Sequence, residues 1–437
     1  MSEVYFREMR EKIKRPLKDE RLALIRKIEK NSWKHRADVA KRGLDLEKMA
    51  NHVRAIKEDS LTRSDELVKL AMESFEKNGT HAHYARTAKD AVEIFLKIAG
   101  DSKYVAKSSA DVPIEVGLPE ALKKRGIELL NTDFGYLLWS FIPEEYTAFK
   151  GVPMLHIPVE VIAKKVSEKL GIPVKPEQED IIQKVRKYAE NFLAKTDIGL
   201  TGANAIAAAE GSVVLVHDIG NIDRVISAPP VHVVMAGIEK VVPNLVDAIS
   251  VSELSSIYQI GRPACHMNVI SAPTEDWNIE FKQYKGVFGP RDVHVILVDN
   301  GRSEAIKNGY AEALYCMRCF ACNKVCPTME RIRTNFGYKS SYVCGRGVVL
   351  TAFVEGLEES VKSGLYLCTL CGACQKECPV KIDVPSMITK LRREAAHRGL
   401  VPEADLRMER SVLENGNPFD EPAERRTRWM EKERKKN

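Results

Sequence analysis

The segments CMRCFACNKVCP, residues 316–327, and CTLCGACQKECP, residues 368–379, share one cysteine pattern. In each, the order is C-x2-C-x2-C-x3-C followed by proline. Three thiolates at this spacing wrap around one face of an iron–sulfur cubane, whereas the fourth lies too far along the chain and typically ligates the other cluster. We therefore predict two [4Fe–4S] clusters with crossed ligand sets: Cys316, Cys319, Cys322 and Cys378 for the first, and Cys368, Cys371, Cys374 and Cys326 for the second.

Zinc is the alternative metal, because four thiolates can also bind Zn²⁺ tetrahedrally. Zinc sites usually come as two separated C-x2-C pairs, and neither segment has that form. Nine of the ten cysteines lie between residues 316 and 378, which is unlike scattered structural disulfides and indicates metal or redox chemistry. Cys344 and Cys265 lie outside both motifs. We interpret both as buried structural thiols, with a spare ligand or a reactive thiol as the alternative.

Between Cys326 and Cys368 lie 41 residues, which have a helical pattern. Small bacterial ferredoxins join their halves through a short, strand-rich connection. This longer insert instead resembles the α-helical ferredoxin module of multi-subunit dehydrogenases. Such modules relay electrons between a catalytic partner and an acceptor.

Short apolar runs alternate with helical stretches before the first motif, which predicts an α/β domain with an at least partly parallel sheet. The strand-like runs begin at residues 104, 127, 211, 231 and 293, and a shorter one, HAHYA, begins at 81. The sequence contains no phosphate-loop, Rossmann or nucleophile-elbow motif. His81 and His83 would share a strand face, but two imidazoles without a third ligand do not predict a metal site.

The charge distribution gives little support for nucleic-acid binding. Residues 1–60 carry 17 Lys/Arg against 11 Asp/Glu, so they account for the whole net charge of +6, and the other 377 residues carry 50 of each. We expect residues 1–60 to form a solvated helical arm. The longest charge-free run has 14 residues, short of the ~20 needed to span a bilayer, and the N-terminus lacks a signal-peptide core. We therefore expect a cytoplasmic protein, either free or in a complex at the membrane surface.

The stretch from Thr196 to Pro243, together with NTDFG at 131, PMLH at 153 and VDNGRS at 298, resembles the LUD (lactate utilisation) domain of the lactate utilisation protein B family. The resemblance covers roughly residues 65–390. It implies an α/β fold of the NagB/RpiA/CoA-transferase-like class, followed by two [4Fe–4S] motifs. Where the family has an acidic residue after T-D-x-G, this chain has Tyr136.

Carrying the family pattern over residue by residue gives a set of pocket candidates, although small residues here could equally serve sheet packing. The candidates are Lys107, Ser108, Asp133, Thr201, Gly202, Asn204, Gly211 and Ser212. The segment from Glu414 to Trp429 resembles the one that follows the ferredoxin module in heterodisulfide reductase subunits, which implies a docking segment for a separate CCG-domain protein. We accordingly predict four parts: an arm (1–60), a LUD domain (61–305), a dicluster module (306–399) and a polar tail (400–437).

The resemblance implies an iron–sulfur electron-transfer subunit of an oxidoreductase complex that oxidises L-lactate or another 2-hydroxy acid. Its implied partners are a CCG-domain subunit and a further LUD-domain subunit, and any flavin would lie in a partner because the sequence shows no flavin motif. The alternative is a heterodisulfide-reductase-like electron carrier whose LUD domain binds another metabolite or is a scaffold. A third hypothesis is an interaction protein with purely structural clusters.

Overall fold

A six-stranded parallel sheet forms the centre of the first part of the chain, with the strand order β1-β12-β7-β4-β2-β3. The computed structural model describes residues 2–18, 43–142, 157–339, 341–422 and 425. Elements are numbered in chain order within those residues. The strands are β1 (His81–Ala85), β2 (Tyr104–Lys107), β3 (Glu128–Asn131), β4 (Ile198–Thr201), β5 (Ala205–Ala207), β6 (Ser212–His217), β7 (Val231–Gly237), β8 (Val241–Val242), β9 (His266–Ile270), β10 (Glu275–Ile279), β11 (Lys282–Lys285), β12 (Asp292–Val298), β13 (Gly337–Tyr338) and β14 (Tyr342–Val343).

Helices cover the sheet and make up most of the C-terminal part. They are α1 (Ser2–Lys18), α2 (Leu46–Thr62), α3 (Ser64–Lys77), α4 (Ala88–Ala99), α5 (Val112–Glu115), α6 (Leu118–Lys124), α7 (Phe134–Trp139), α8 (Val159–Leu170), α9 (Gln178–Leu193), α10 (Asn221–Ser227), α11 (Leu245–Ile260), α12 (Arg302–Lys307), α13 (Ala321–Val325), α14 (Pro327–Ile332), α15 (Cys344–Val354), α16 (Leu357–Lys362), α17 (Ala373–Glu377), α18 (Val384–His397) and α19 (Glu403–Asn415). Short 3₁₀ turns occur at Ile238–Lys240, Ala311–Tyr315, Arg333–Asn335 and Leu365–Leu367. No helix in these described stretches is long and apolar enough to cross a membrane.

The central strands are mostly apolar because helices bury both faces of a parallel sheet. In β7, Val233 and Met235 face a core that contains Phe95 of α4, whereas Val234 and Ala236 face a core that contains Phe75 of α3. All five strand-like runs found in the sequence are strands, and HAHYA forms β1. The prediction of an α/β domain with a parallel sheet is therefore confirmed, while its NagB/RpiA/CoA-transferase-like class stays a prediction.

A second sheet, ordered β8-β5-β6-β9, joins this domain to the C-terminal helices. Helix α11 packs on β5 and β6 and on α2. Ala205 and Val214 of the second sheet, Leu254 of α11 and Leu350 of α15 belong to one buried apolar cluster. The cysteine-rich part is thus packed on the α/β domain through a continuous core, and the predicted division into four parts stays a prediction.

The first two helices differ from the expected solvated arm. Phe6 of α1 is 2% exposed and meets Tyr366 edge-on, with 5.6 Å between the ring centroids. Val53 and Ile56 of α2 are buried in the same cluster as the cysteine-rich part. Charged residues between these apolar positions give the segment its polar composition. Its apolar residues are nevertheless buried against the cysteine-rich part. Residues 19–42 of the expected arm lie outside the described residues, as does PMLH at 153.

A buried ion-pair cluster ties the α/β domain to the cysteine-rich part. The fully buried guanidinium of Arg302 pairs with both carboxylate oxygens of Glu115, at 2.7 and 2.9 Å, and with Glu239 at 2.5 Å. The hydroxyl of Tyr342 donates to Glu115 and lies 3.2 Å from Arg302 Nη2. Burial alone would raise the pKa of Glu239, but Arg302 and neighbouring lysines outweigh it and lower that pKa to about 2. The cluster is therefore charged and mutually compensated.

We expect Arg302→Met to destabilise the protein strongly, because it leaves two buried carboxylates without their cation. Removing one partner of a buried ion pair typically reduces the free energy of unfolding by about 3–5 kcal/mol. The measurement is the denaturant unfolding midpoint of the protein purified without oxygen. Arg186→Met is the matched control, since Arg186 pairs with Glu190 on an exposed helix surface. Equal midpoints for the two variants would contradict a structural role for the Arg302 cluster.

Candidate metal centre and adjoining cavity

The two cysteine motifs fold in the same way. Each begins directly after a 3₁₀ turn and leads into a five-residue helix, α13 or α17. Two positions of each loop have a left-handed backbone, Arg318 and Phe320 in the first motif and Leu370 and Gly372 in the second. Left-handed residues turn the chain back on itself, which lets closely spaced cysteines face a common centre. Non-glycine residues hold this conformation at three of the four positions, so the surrounding packing must enforce it.

The first predicted ligand set lines one small cavity. Cys316, Cys319, Cys322 and Cys378 all border it, and Cys374 borders it as well. The first three come from one motif and Cys378 from the other, which agrees with the crossed pairing. The cavity has a volume of about 40 Å³, and its other lining residues are mainly apolar.

Two cysteines of the second motif, Cys368 and Cys374, interact electrostatically with Cys326 of the first motif. Burial, together with the neighbouring thiols Cys322, Cys326 and Cys368, raises the pKa of Cys374 to about 12. Burial likewise raises the pKa of Cys368, with Cys326 and Cys371 adding to the effect. Thiols that hinder one another's ionisation need a compensating positive charge, which bound iron supplies. The donor set therefore fits iron–sulfur clusters, and the residue-by-residue ligand assignment stays a prediction.

The two cysteines outside the motifs lie in different surroundings. Cys344 is buried at the start of α15 and hydrogen bonds to one cysteine of each predicted set, Cys322 and Cys326. Its hydrogen bond lowers the pKa of Cys326 to about 7. Cys265 is exposed, so the expectation of a buried thiol is wrong for this residue.

A larger cavity, of about 630 Å³, adjoins the cysteine motifs. It lies at the carboxyl ends of β2, β3, β4 and β7, where open parallel sheets bind their ligands. Its opposite side is formed by residues of the cysteine-rich part, among them Met317, Phe320 and Arg346. These three residues also line the small cysteine cavity, so a single layer of side chains separates the two cavities.

Four of the eight pocket candidates line this larger cavity: Ser108, Asp133, Gly202 and Asn204. Asp133 also caps α7 by accepting a hydrogen bond from the backbone N–H of Tyr136, which itself lines the cavity. Asn204 Oδ1 accepts from the backbone N–H of Val216 at 3.1 Å. These polar groups thus have structural partners and still present atoms to the cavity.

Two further candidates lie directly beneath the cavity wall. The Nζ of Lys107 donates to the carbonyl of Ser108 at 2.7 Å, and burial lowers the pKa of this lysine to about 8, although Asp133 opposes the shift. Thr201 is fully buried and its Oγ1 lies 2.9 Å from Nε2 of His232.

The structure places Gly211 and Ser212 outside the cavity lining. Gly211 has a φ of +58°, and a Cβ there would lie 2.6 Å from the backbone of Ser74, so the glycine permits close packing of α3. Ser212 Oγ lies 2.6 Å from Oγ of Ser271. Both positions are explained by local packing.

Sequence reasoning did not single out Lys240, which lines the cavity just after β7. Burial lowers the pKa of this lysine, and its ammonium acts electrostatically on Cys316 of the first motif. Among the described residues, its Nζ has no hydrogen-bond partner. A lysine three residues after a buried strand was the available signal, but many strands are followed by such a residue.

This architecture, an α/β domain packed on a helical dicluster module, defines an iron–sulfur electron-transfer protein. The LUD domain family matches residues 68–298, and the 4Fe-4S dicluster domain family matches residues 312–382. The chain belongs to the LUD-domain family that includes lactate utilization protein B. It is 32% identical to "Lactate utilization protein B" of Macrococcus caseolyticus (strain JCSC5402) over 82% of this chain and 74% of that one. It is 30% identical to "Uncharacterized electron transport protein YkgF" of Escherichia coli (strain K12) over 80% of this chain and 72% of that one.

We expect Cys371→Ser to remove the second cluster, because a serine hydroxyl is a poor substitute for a thiolate ligand. The measurement is iron content and visible absorbance of protein purified without oxygen, where two intact clusters correspond to about eight irons per chain. Cys265→Ser is the matched control, since both cysteines are exposed and only Cys371 belongs to a motif. Full retention of iron by the Cys371 variant would overturn the ligand assignment.

Proposed function

We propose that this chain is the electron-transfer subunit of a complex that oxidises L-lactate or a related 2-hydroxy acid, with the acid bound in the larger cavity. Two [4Fe–4S] clusters relay the electrons to or from a CCG-domain partner. The names of the relatives support lactate as the substrate class. The observation that carries the proposal is the shared wall of Met317, Phe320 and Arg346, which puts the cavity one side-chain layer from the first cysteine set.

The cavity has the chemistry that a small hydroxy-acid anion requires. Lys240 and Arg346 offer positive charge on the side nearest the cysteines. Ser108 and Asn204 offer hydrogen-bonding groups on the opposite side, and Asp133 offers a carboxylate that could accept a proton. Oxidation of a hydroxyl to a carbonyl releases two electrons and two protons: two clusters that each take one electron would supply the electron capacity, and the Asp133 carboxylate and water in the cavity would take the protons. The residues of this chain therefore bind and orient the anion next to its electron acceptor.

We expect Lys240→Gln to weaken L-lactate binding about ten- to a hundredfold, since a hydrogen bond to a charged group contributes roughly 1.5–3 kcal/mol. The measurement is isothermal titration calorimetry of the cluster-loaded chain. Lys89→Gln, a charge change on the exposed surface of α4, is the control. If wild type binds no L-lactate, the proposed substrate class is wrong. If Lys240→Gln and Lys89→Gln bind L-lactate equally well, Lys240 does not bind the carboxylate of the ligand.

We also expect L-lactate affinity to fall as the pH rises above about 8. The pKa of Lys107 is about 8, so its ammonium is charged below that pH and attracts the anion, and above it the charge is lost. Calorimetry across this pH range in wild type and in Lys107→Arg measures the effect. The arginine variant should lose the pH step, because its guanidinium remains charged. A flat wild-type profile would show that Lys107 does not act on the ligand.

The C-terminal part offers an interaction surface for the CCG-domain partner. Helix α19 ends in a local turn, in which the hydroxyl of Ser411 donates to the carbonyl of Asn417. Its apolar residues instead face outward: Leu413 is 80% exposed, and Met408 and Val412 are also exposed. A helix with outward apolar residues fits a partner-binding role. Of the resembling segment 414–429, residues 423–424 and 426–429 lie outside the described residues.

The alternative function is a heterodisulfide-reductase-like electron carrier. Both hypotheses use the same clusters and the same partner class, and they differ in the ligand of the larger cavity. A further LUD-domain subunit and a flavin-bearing subunit remain proposed partners of the lactate-type complex. Neighbouring genes for CCG-domain and LUD-only proteins would favour the lactate-type complex, whereas genes for heterodisulfide reductase subunits would favour the alternative.

A further inference from the structure

A second group of metal-ligating side chains lies at the rim of the larger cavity, away from the cysteines. His217 ends β6, His266 begins β9, and the two residues are paired across these antiparallel strands. Asp223 comes from the first turn of α10. One ligand atom from each of the three residues lies within 4.8 Å of the other two.

The distances within the group are close to those of a coordination shell. His217 Nε2 lies 3.2 Å from Asp223 Oδ1, and His266 Nδ1 lies 3.9 Å from Asp223 Oδ2. Ligand atoms at about 2.0–2.2 Å from a tetrahedral zinc ion are separated by roughly 3.3–3.6 Å. Only small adjustments are therefore needed, and His266 is half exposed and free to make them.

A neighbouring side chain orients the carboxylate. Asn268 Nδ2 donates to Asp223 Oδ1 at 2.9 Å, and Asn268 Oδ1 lies 2.8 Å from His217 Nε2. The bond to Asp223 is of the kind that fixes a metal ligand in the orientation that binding needs, whereas the bond from His217 Nε2–H to Asn268 Oδ1 is one that a metal at Nε2 would replace.

An independent observation comes from the other side of the His217 ring. His217 is 8% exposed, and its Nδ1 is buried without a hydrogen-bond partner among the described residues. Buried polar atoms nearly always have partners, so the ring is incompletely satisfied by the protein alone. The unpartnered atom is Nδ1, whereas the group is formed by Nε2, so this observation marks an incompletely satisfied histidine and does not itself add a ligand atom.

We propose that His217, Asp223 and His266 bind a divalent transition-metal ion. Two neutral imidazoles and one carboxylate give the group one negative charge, and this donor set suits zinc or ferrous iron rather than calcium or magnesium. Three protein ligands leave coordination positions open, as in catalytic rather than structural sites. His217 and Asp218 also line the larger cavity, so an oxygen ligand can reach those positions from it. The proposal does not depend on the identity of the substrate.

The experiment is equilibrium dialysis of the cluster-loaded chain against micromolar Zn²⁺ without oxygen, with zinc and iron counted by mass spectrometry. We expect one zinc per chain with no loss of iron. His266→Gln and Asp223→Asn should each weaken zinc binding by at least about tenfold. His266 is the primary target because it is half exposed, so its replacement should leave folding intact.

A second histidine group provides the matched control. His83 Nε2 lies 3.2 Å from His294 Nδ1 at the edge of the main sheet, and His81 stacks on His294. His83→Gln should leave zinc binding unchanged. The proposal is overturned if wild type takes up no zinc, if His83→Gln and His266→Gln weaken binding equally, or if zinc uptake is matched by iron loss, which would place the zinc at the cysteines.

Discussion

The buried guanidinium of Arg302 fixes the geometry on which the site depends. It begins α12, just after the central strand β12, and its two carboxylate partners come from α5 and from the turn after β7. The segments that follow the carboxyl ends of β2, β7 and β12 therefore meet at this ion-pair cluster. Tyr342, which shares this cluster, belongs to the cysteine-rich part. An isolated buried charge would be very unfavourable, so each member requires the others and the arrangement resists displacement.

This cluster forms part of the boundary of the larger cavity, because Glu239 and Tyr342 both line it. The cavity is therefore bounded by residues of both the α/β domain and the cysteine-rich part, and the buried ion pairs and hydrogen bonds of this cluster connect them. The shared apolar core reinforces the same contact from the other side, through α2, α11 and α15. Electron transfer becomes slower with distance, so a fixed separation between cavity and cysteines suits an electron-transfer protein. A flexible linker between two independent domains would not provide it.

Local patterns in the sequence predicted the parts of the structure that local chemistry determines. The cysteine spacing and the apolar strands both depend on neighbours within a few residues. The packing of α1 and α2 could not be predicted in this way, because their charges dominate the composition while their partner surfaces come from distant parts of the chain, α11 for α2 and the cysteine-rich part for α1. His294 was missed for the same reason: it joins His81 and His83 only because β12 pairs with β1. Gly211 was predicted as a pocket residue because it matches a family motif, but its glycine is explained by close contact with α3.

The net charge of the chain does not show that positive side chains lie close to the first cysteine set. Outside residues 1–60 the chain is neutral overall, yet Lys240 of that part and Lys57 of α2 both act electrostatically on Cys316, and Lys240 also lines the larger cavity. Burial, and to a smaller extent the neighbouring Lys240, lower the pKa of Lys57 to about 7. Positive charge stabilises an anion in the cavity and also stabilises the extra negative charge of a reduced cluster. The same cation, Lys240, would produce both effects. An anion bound to Lys240 would therefore partly neutralise the electrostatic field of this lysine at the cluster. On the proposed function, substrate binding and the reduction potential of the first cluster are therefore linked through this wall.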